Sequence, residues 1–354
     1  MFLMNAWYVA GWSRDFDHSL RAETILGENI VLYRKQDGTP VALEDACPHR
    51  KLPLSKGKLQ GDTVECGYHG LTFDCTGVCV AAPTQPDRIP KRARVKSYRV
   101  ADRYRLLWIW MGEPQAADEE RIFPIENYDN PDWGCTEGGV MDIDCNYLWM
   151  VDNLLDPSHV AWVHVGSFAS AGTENQPLDV SATDRGVIVS RWIYGQPLSP
   201  YYADLVKFVG VCDRLQHYEM CLPAIGLNKS VYTPPGTGGP DAAPVDTTYI
   251  NISYNFMTPI DEDRTRYFWF QHRNTDPHDA AISDRMNKGA YMAFEDDRAI
   301  LEHVHAGMKA PIRPAIGLVL DAGAQRFRRF LQSKIEAEVK VEPSHAPNRA
   351  SDAT

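Results

Sequence analysis

The chain has 354 residues, of which 44% are hydrophobic and 23% are charged, and its formal net charge is −11. Such a length accommodates two domains with separate cores, and the composition is typical of a globular protein. The acidic balance argues against a nucleic-acid partner, because such a partner would need clustered cations to neutralise its phosphates. No apolar run approaches the roughly 20 residues that a membrane helix requires, so no membrane association is expected.

The amino terminus, MFLMNAWYVAGW, is apolar but has neither a basic region nor a small-residue cleavage site. It therefore predicts a strand and not a signal peptide. Eight cysteines without an export signal indicate a reducing compartment, where metal binding is a better expectation than disulfides. We expect a cytoplasmic protein.

Residues 1–115 predict an all-β domain. Segment 28–46 has the form of a strand, a turn at Asp37-Gly38 and a second strand, and segment 98–112 repeats this pattern. Several short strands with Gly and Pro between them favour a small barrel or sandwich. A linker near Gly112–Asp118 then leads into a second domain, expected to span residues 116–340.

The second domain predicts an α+β fold. Helical periodicity occurs at 146–165 and at 282–308, and strand-like stretches such as GVIVSRWIYG and TRYFWFQHRN lie between them. Segment 233–244 has the composition of a loop. Residues 341–354 are rich in Pro, Ala and Ser and are expected to form a flexible tail.

Two short motifs in the first domain carry metal-ligand chemistry: Cys47-Pro48-His49 and Cys66-Gly67-Tyr68-His69. One thiolate and one imidazole from each of two loops is the ligand set of a Rieske [2Fe–2S] centre, in which two cysteines hold one iron and two histidines hold the other. A structural zinc site is the alternative, but zinc sites more often pair two cysteines and two histidines separately. The mixed pairs favour the Rieske cluster.

A second metal site is predicted in segment 146–165. At 100° per residue, Asn153, Asp156 and His159 fall on one helical face, with His164 at its edge. Two histidines and one carboxylate form the facial triad of non-haem Fe(II) oxygenases, which leaves positions open for O₂. The carboxylate is either Asp156 or one from elsewhere in the chain.

The second helical segment supplies the better carboxylate. Its apolar stripe runs from Met286 to Met308 and includes Val304, and Asp297 lies within this stripe. A carboxylate on an apolar helical face is costly unless it is paired or binds a metal. Asp297 is therefore the predicted third ligand, while His303 and His305 are expected at the surface.

The chain resembles the oxygenase (alpha) component of Rieske non-haem iron oxygenases, in particular the vanillate O-demethylase-like branch. The resemblance covers nearly the whole chain and is carried by the following segments: NAWYVAGW, CPHRKLPLSKG, CGYHGLTFDCTG, VDNLLDPSHVAWVH, FEDDRAILE and LDAGAQRFRR.

This resemblance implies a helix-grip catalytic domain, a homotrimer, and electron transfer between neighbouring subunits. It places Asn153 beside the iron, and it makes Asp156 the connection between His69 of a neighbouring subunit and the iron ligand His159. By similarity to substrate-contacting positions in a herbicide-demethylating relative, it also assigns three residues to the substrate pocket: Asn228, Asn255 and Lys288.

The expected protein is the terminal oxygenase of a multicomponent, NAD(P)H- and O₂-dependent monooxygenase, which O-demethylates a small, anionic methoxy-aromatic such as vanillate and releases formaldehyde. The chain has no nicotinamide or flavin motif, so a separate reductase or ferredoxin must supply electrons. Hydroxylation of an aromatic methyl group or dihydroxylation of a ring is the alternative within the enzyme class. A Rieske electron carrier without oxygenase activity is a remote alternative.

Overall fold

The computed structural model describes residues 1–168, 176–310 and 313–341. The strands of its first part have the following bounds: β1 Trp7–Trp12, β2 Arg21–Ile25, β3 Glu28–Arg34, β4 Pro40–Glu44, β5 Lys58–Gln60, β6 Thr63–Glu65, β7 Thr72–Phe73, β8 Cys79–Ala81, β9 Ser97–Arg103 and β10 Leu106–Trp110.

These strands form two antiparallel sheets, one of six strands in the order β1-β10-β9-β4-β3-β2 and one of four in the order β5-β6-β7-β8. The hairpin predicted at 28–46 is present, and Gly38 takes the positive φ (+86°) that its turn requires. The hairpin at 98–112 is present as well, with Tyr104 and Arg105 at positive φ in the turn.

The second part mixes strands and helices. The strands are β11 Gly134–Cys135, β12 Gly139–Ile143, β13 Asp179–Ala182, β14 Gly186–Pro197, β15 Val211–Cys221, β16 Ile225–Thr233, β17 Tyr249–Pro259 and β18 Thr265–Arg273. The helices are α1 Tyr147–Leu154, α2 Val160–Val163, α3 Pro200–Ala203, α4 Ala280–Lys309 and α5 Ala322–Val341.

The strands of this part form one antiparallel sheet in the order β11-β18-β17-β16-β15-β14-β13, and β12 also pairs with β18. Helix α1 lies between this sheet and the two long helices, because it contacts β15, β16 and β17 as well as α4 and α5. The predicted fold class, an all-β first domain followed by an antiparallel sheet with helices, is confirmed.

The helix predicted at 146–165 is broken into α1 and α2. Asn146 caps α1, since its Oδ1 accepts a hydrogen bond from the backbone N–H of Leu148 at 3.0 Å. Pro157 disfavours helical backbone at the residue before it, so α1 ends at Leu154 and the chain turns before α2 begins. The break places His159 and His164 at the two ends of a short second helix, as its N-cap and C-cap residues.

Helix α4 follows the predicted stripe up to Leu301 and then departs from it. The structure buries His305, whereas Val304 and Met308 are exposed, so the expectation of a surface histidine at 305 is wrong. The reason is that both ring nitrogens of His305 have partners: Nδ1 accepts from the indole N–H of Trp149 at 3.2 Å, and Nε2 lies 3.2 Å from Asp263. A histidine with both nitrogens paired can be buried at little cost.

Helix α5 was not predicted. Its buried residues recur at intervals of three and four, which is helical spacing: Ala324, Phe327, Leu331 and Ile335. The helix contacts β13, β14 and α1 and so closes one side of the second core. Of the tail expected at 341–354, residues 342–354 lie outside the described part of the chain.

The two parts of the chain pack tightly against each other. Strand β1 contacts β17, and the hydroxyl of Thr258 donates a hydrogen bond to the carbonyl of Val9 at 2.8 Å. The backbone N–H of Leu26 donates to the carbonyl of Pro259, also at 2.8 Å. None of the helices in the described ranges is long and apolar enough to cross a membrane.

Candidate metal centres

The two cysteine–histidine motifs form a pair of loops with equivalent backbone hydrogen bonds. The N–H of Cys47 donates to the carbonyl of Leu52, and its carbonyl accepts from Lys51. The N–H of Cys66 likewise donates to Leu71, and its carbonyl accepts from Gly70. Lys51 and Gly70 occupy the same place in the two loops, and both have positive φ, +58° and +71°.

The side chains of these loops converge as a cluster would require. Cys47 and Cys66 are each 2% exposed, and burial, together with the neighbouring Cys66 thiol, raises the pKa of the Cys47 thiol. The Nδ1 atoms of His49 and His69 lie 3.1 Å apart. Two nitrogens bound to one tetrahedral metal at about 2.1 Å lie about 3.4 Å apart, so the imidazoles fit a shared iron.

The two ends of this cluster site differ in exposure. The cysteines are buried in the core of the four-stranded sheet, while His49 is exposed and His69 half-buried at the surface. The ring of Tyr68, itself 54% exposed, lies 3.9 Å from that of His69. The histidine end therefore offers the shorter route for an electron to leave the domain.

A second group of ligands lies in the second domain, where α2 faces α4. One ligand atom from each of His159, His164 and Asp297 falls within 4.8 Å of the others. The Oδ1 of Asp297 is 3.6 Å from Nε2 of His159 and 3.3 Å from Nε2 of His164. Both imidazoles thus present Nε2 towards one carboxylate, as in a two-histidine, one-carboxylate facial triad.

The other ring nitrogen of each histidine faces an oxygen atom, but only that of His159 makes a hydrogen bond. Nδ1 of His159 donates to the backbone carbonyl of Asp156, which leaves Nε2 as the atom with a free lone pair. Nδ1 of His164 lies 3.6 Å from the carboxylate of Asp296. Burial acts to lower the pKa of His164, but the two carboxylates Asp297 and Asp296 outweigh it and raise that pKa.

The hydrogen bonding of these three residues is incomplete without a metal ion. Asp297 is 3% exposed, and its Oδ1 is buried without a hydrogen-bond partner. An unpaired buried carboxylate oxygen is costly, and a divalent cation between the three ligand atoms would satisfy it. The donor set matches non-haem iron, with positions left for O₂.

A pocket of about 90 Å³ lies beside this group. It is smaller than the roughly 150 Å³ cavity that holds benzene in another buried site, so it has room for no more than one ring. The lining residues come from five helices and loops and from four strands: Leu154, His159, Val160, His164, Phe168, Tyr202, Arg214, Tyr218, Asn228, Ser230, Asn251, Ser253, Asn255, Gln271, Ala290, Ala293, Phe294 and Asp297.

Two of the predicted substrate residues line this pocket, Asn228 and Asn255. Asn255 donates to the Oδ1 of Asn228 at 3.1 Å and accepts from the hydroxyl of Tyr267 at 2.6 Å. Asn228 in turn donates to the carbonyl of Leu154. The two amides therefore connect β16 and β17 to α1 by hydrogen bonds. Their first role visible in the structure is to position the helix that precedes the triad.

The other predicted residues lie differently. Lys288 is outside the pocket lining, on the exposed side of α4, with Nζ 2.6 Å from Asp284. Asn153 is also outside the lining, and its buried Nδ2 has no partner among the described residues. Asp156 is half-buried, and its carboxylate accepts from the N–H of Ser158 at 2.7 Å.

Among the pocket residues that the sequence did not point to is a cation, Arg214 of β15. It is 4% exposed, and its Nε is buried without a partner. In the sequence it stands in an alternating strand segment, where nothing indicates which face is turned towards the metal group.

Comparison with known protein families gives two matches. Residues 6–99 match the Rieske [2Fe–2S] domain, and residues 143–337 match the vanillate O-demethylase oxygenase C-terminal domain. The first match includes both cysteine–histidine loops, and the second includes all three residues of the triad.

Individual relatives match over nearly their whole length. The toluene-4-sulfonate monooxygenase system iron-sulfur subunit of Comamonas testosteroni is 36% identical over 343 residues, covering 96% of this chain and 98% of the relative. A vanillate O-demethylase oxygenase subunit of a Pseudomonas species is 33% identical over 344 residues, or 96% of each chain. The crystal structure of dicamba monooxygenase bound to 3,6-dichlorosalicylic acid superposes with a TM-score of 0.86 at 30% identity, covering 96% of this chain and 99% of that one.

Proposed function

Because this chain belongs to the Rieske non-haem iron oxygenases of the vanillate O-demethylase branch, and is the terminal oxygenase of such a system, we propose that it O-demethylates a small methoxy-aromatic compound. The observation that carries this proposal is the triad of His159, His164 and Asp297, largely buried and lining a pocket of about 90 Å³. The cofactors of the family are a Rieske [2Fe–2S] cluster and a mononuclear iron.

We assign Cys47, His49, Cys66 and His69 to the cluster, and His159, His164 and Asp297 to the mononuclear iron. When bound, that iron supplies O₂ activation with electrons delivered through the cluster. The backbone carbonyl of Asp156 holds His159 in the tautomer that presents Nε2. Phe294 and the two small residues Ala290 and Ala293 line the pocket, leave room for a flat ring and exclude water from it.

The proposed reaction consumes one methoxy group, O₂, two electrons and two protons. One oxygen atom is inserted into a C–H bond of the methyl group, and the other leaves as water. In the resulting hemiacetal the bond between the aryl oxygen and the hydroxylated carbon breaks, the hydroxyl proton passes to the aryl oxygen to give a phenol, and the carbon leaves as formaldehyde. The electrons come from NAD(P)H through a separate reductase or ferredoxin, the partner that multicomponent systems of this kind require.

For the electron path we propose that the chain is a homotrimer and that Asp156 connects His69 of one subunit to His159 of the next. This is supported by the exposed histidine end of the cluster site and by the half-buried position of Asp156 next to an iron ligand. We propose that Asn153 acts in the same region, as the resemblance to the family implies. We keep the division into residues 1–115, 116–340 and 341–354 as part of this proposal.

A second candidate function is hydroxylation of an aromatic methyl group. It is favoured by the 36% identity to the toluene-4-sulfonate monooxygenase subunit, and the same triad and pocket would serve it. Dihydroxylation of a ring has no comparable support. An electron carrier would need only the first domain, and it would not need the triad of the second domain. The triad therefore argues against this alternative.

We place the protein in the cytoplasm. None of the eight cysteines, all of which lie in the described ranges, forms a disulfide, and this is compatible with a reducing compartment. Cell fractionation tests this assignment directly.

The test of the function is turnover by the purified oxygenase, supplied with a compatible reductase, NADH and O₂. Methoxybenzoates should yield one formaldehyde per phenol formed, whereas methyl-substituted analogues should yield a benzylic alcohol and no formaldehyde. Alcohol formation with no turnover of any methoxy compound would favour the second candidate. Formation of a cis-diol would contradict both.

A further inference from the structure

The pocket beside the triad holds a positive charge that no described residue neutralises. Arg214 lines the pocket and is 4% exposed. Its guanidinium forms no hydrogen bond or salt bridge within the described ranges, and its Nε is buried without an acceptor. Arginine remains charged at any ordinary pH, so the charge itself is buried.

The contacts that Arg214 does make are with aromatic rings. Its guanidinium carbon lies 5.1 Å from the ring of Tyr232 and 5.9 Å from that of Tyr202. Such cation–π contacts offset part of the cost of removing the cation from water. They bring no net negative charge, so the guanidinium still lacks a counter-ion.

The carboxylate nearest to Arg214 in the sequence, that of Asp213, points away from the pocket. Asp213 precedes Arg214 on β15, and successive residues of a strand point to opposite faces. The carboxylate of Asp213 accepts hydrogen bonds from the backbone of Gly195 and Gly236, at 3.0 and 2.7 Å, and so serves a loop on the other face.

The remaining polar groups of the pocket are neutral, with one exception. Among the lining residues, the only carboxylate is Asp297, which is assigned to the iron, and the others include the amides Asn251 and Gln271. A buried cation in a ligand pocket costs free energy until a ligand supplies the opposite charge. The missing counter-ion is therefore expected on the substrate.

We propose that Arg214 is the residue that selects the charge of the substrate, by binding a carboxylate or sulfonate group on its aromatic ring. The planar guanidinium offers paired N–H donors that match two oxygens of either anion. The inference rests on the proposed function for the group that reacts at the triad. Anion binding by Arg214 can be tested without any reaction.

The chain offers a matched control in Lys288, the cation that the family resemblance assigned to the pocket. Its side chain is 72% exposed and paired with Asp284, outside the pocket lining. Removing either cation changes the net charge by one, but only Arg214 lies where an anion would bind.

The first experiment measures equilibrium binding by calorimetry, with the cofactor-loaded protein and ligands that cannot be demethylated. The ligands are benzoate and benzenesulfonate, with benzamide as the neutral counterpart. For Arg214→Met we expect the Kd of at least one anion to rise by about 30-fold or more, the effect of removing one partner of a buried charge pair, while the Kd of benzamide changes little. Arg214→Lys should lose less, and Lys288→Met should match the unmodified protein.

The two anions distinguish the sources of the charge: selective loss of benzoate binding indicates a carboxylate, and selective loss of benzenesulfonate binding indicates a sulfonate. Equal losses for benzamide and both anions would show that Arg214 only shapes the pocket and would overturn the proposal. Anion binding unaffected by the substitution, or absent from the unmodified protein, would overturn it too. If Arg214→Met loses iron or cluster colour, Arg214→Gln and Arg214→Lys are compared instead.

The second experiment separates this inference from the proposed function. The turnover of 4-methoxybenzoate and of its amide is compared in the unmodified protein and in Arg214→Met. Loss of kcat/KM for the acid, mainly through a higher KM, with the amide unaffected, supports the role of Arg214. A third outcome is that the protein turns over no methoxy compound while Arg214→Met still weakens anion binding. That outcome contradicts the proposed demethylase function and still supports the anion site at Arg214.

Discussion

The imidazole of His159 donates its Nδ1–H to the backbone carbonyl of Asp156, three residues earlier in the chain. The same short turn is closed by the carboxylate of Asp156, which accepts from the N–H of Ser158 at 2.7 Å. A proposed iron ligand and the proposed electron entry point therefore share one rigid turn, between α1 and α2. Any electron that reaches Asp156 is one hydrogen bond away from the ligand.

We predict that Asp156→Asn separates the two redox centres without removing either. Asparagine can still accept from the N–H of Ser158, and the backbone carbonyl that orients His159 is unchanged. All irons should be retained and the cluster should still be reduced by the donor, while turnover falls by about 10- to 100-fold, the usual cost of losing a partner of a metal ligand. Stopped-flow measurement of cluster reoxidation in the presence of substrate and O₂ reports this step.

Mixed trimers test whether the transfer crosses a subunit boundary. Asp156→Asn chains keep the cluster, and Cys66→Ser chains keep Asp156 but lack the cluster. If transfer occurs between neighbours, co-expression of the two variants should raise activity above that of either one, because random assembly makes roughly one junction in four productive. Activity no higher than that of the separate variants would rule out transfer between subunits.

We predict that Asp297→Ala removes the mononuclear iron and leaves the cluster intact. The buried Oδ1 lies within 3.6 Å of both histidine Nε2 atoms and is the third ligand atom of the triad. Alanine offers no ligand atom in its place. Metal analysis should fall from about three irons per chain to about two, with an unchanged visible spectrum and loss of turnover. Asp284→Ala is the control, since this carboxylate on the same helix is 61% exposed, pairs with Lys288 and should leave all the iron bound.

We predict that Cys66→Ser removes the cluster and leaves the mononuclear iron. Serine lacks the thiolate on which the cluster depends, whereas the triad lies in the other domain. The visible absorption should disappear and about one iron per chain should remain. Cys79→Ser provides a matched control, because Cys79 is equally buried in the same core but belongs to neither loop. Retention of colour in Cys66→Ser would contradict the ligand assignment.

The sequence predicted the parts of this protein that depend on local chemistry. Cys47 and His49 stand two residues apart on one loop, so their ligand set can be recognised without knowing the fold. Asp297 could be identified because a carboxylate on an apolar helical stripe needs a partner. In each case the residue types and their spacing carry the chemistry.

The sequence could not predict what depends on distant contacts. Arg214 lies on a strand, and only the assembled sheet determines that its side chain faces the pocket while that of Asp213 faces a loop. His305 looked like a surface residue because its partners, Trp149 and Asp263, are far away in the sequence. Helix α5 did carry an amphipathic signal, with Phe327, Leu331 and Ile335 at intervals of four.

The last prediction concerns acid stability and His272. This histidine is 1% exposed on β18, and neither ring nitrogen makes a hydrogen bond of normal geometry within the described ranges. Burial lowers its pKa from 6.5 to about 4, against a smaller opposing effect of the Glu126 backbone. Because the unfolded chain binds a proton between pH 6.5 and pH 4 that the folded chain does not, the neutral histidine stabilises the fold above pH 6.5. That stabilisation is lost as the pH falls through this window, by about 2 kcal/mol at pH 5.

Replacing His272 with Phe should therefore remove part of the acid sensitivity. The neighbouring rings of Tyr128, Tyr254 and Phe270 accept an aromatic side chain of similar size, and no hydrogen bond of normal geometry is lost. Differential scanning calorimetry should give nearly equal Tm values at pH 7.5 and a Tm several degrees higher for His272→Phe at pH 5, at about 2–4 °C per kcal/mol. His303→Gln, at an exposed histidine of α4, should follow the unmodified protein at both pH values. If His272→Phe and the unmodified protein lose the same Tm between pH 7.5 and 5, His272 does not titrate as the buried position requires.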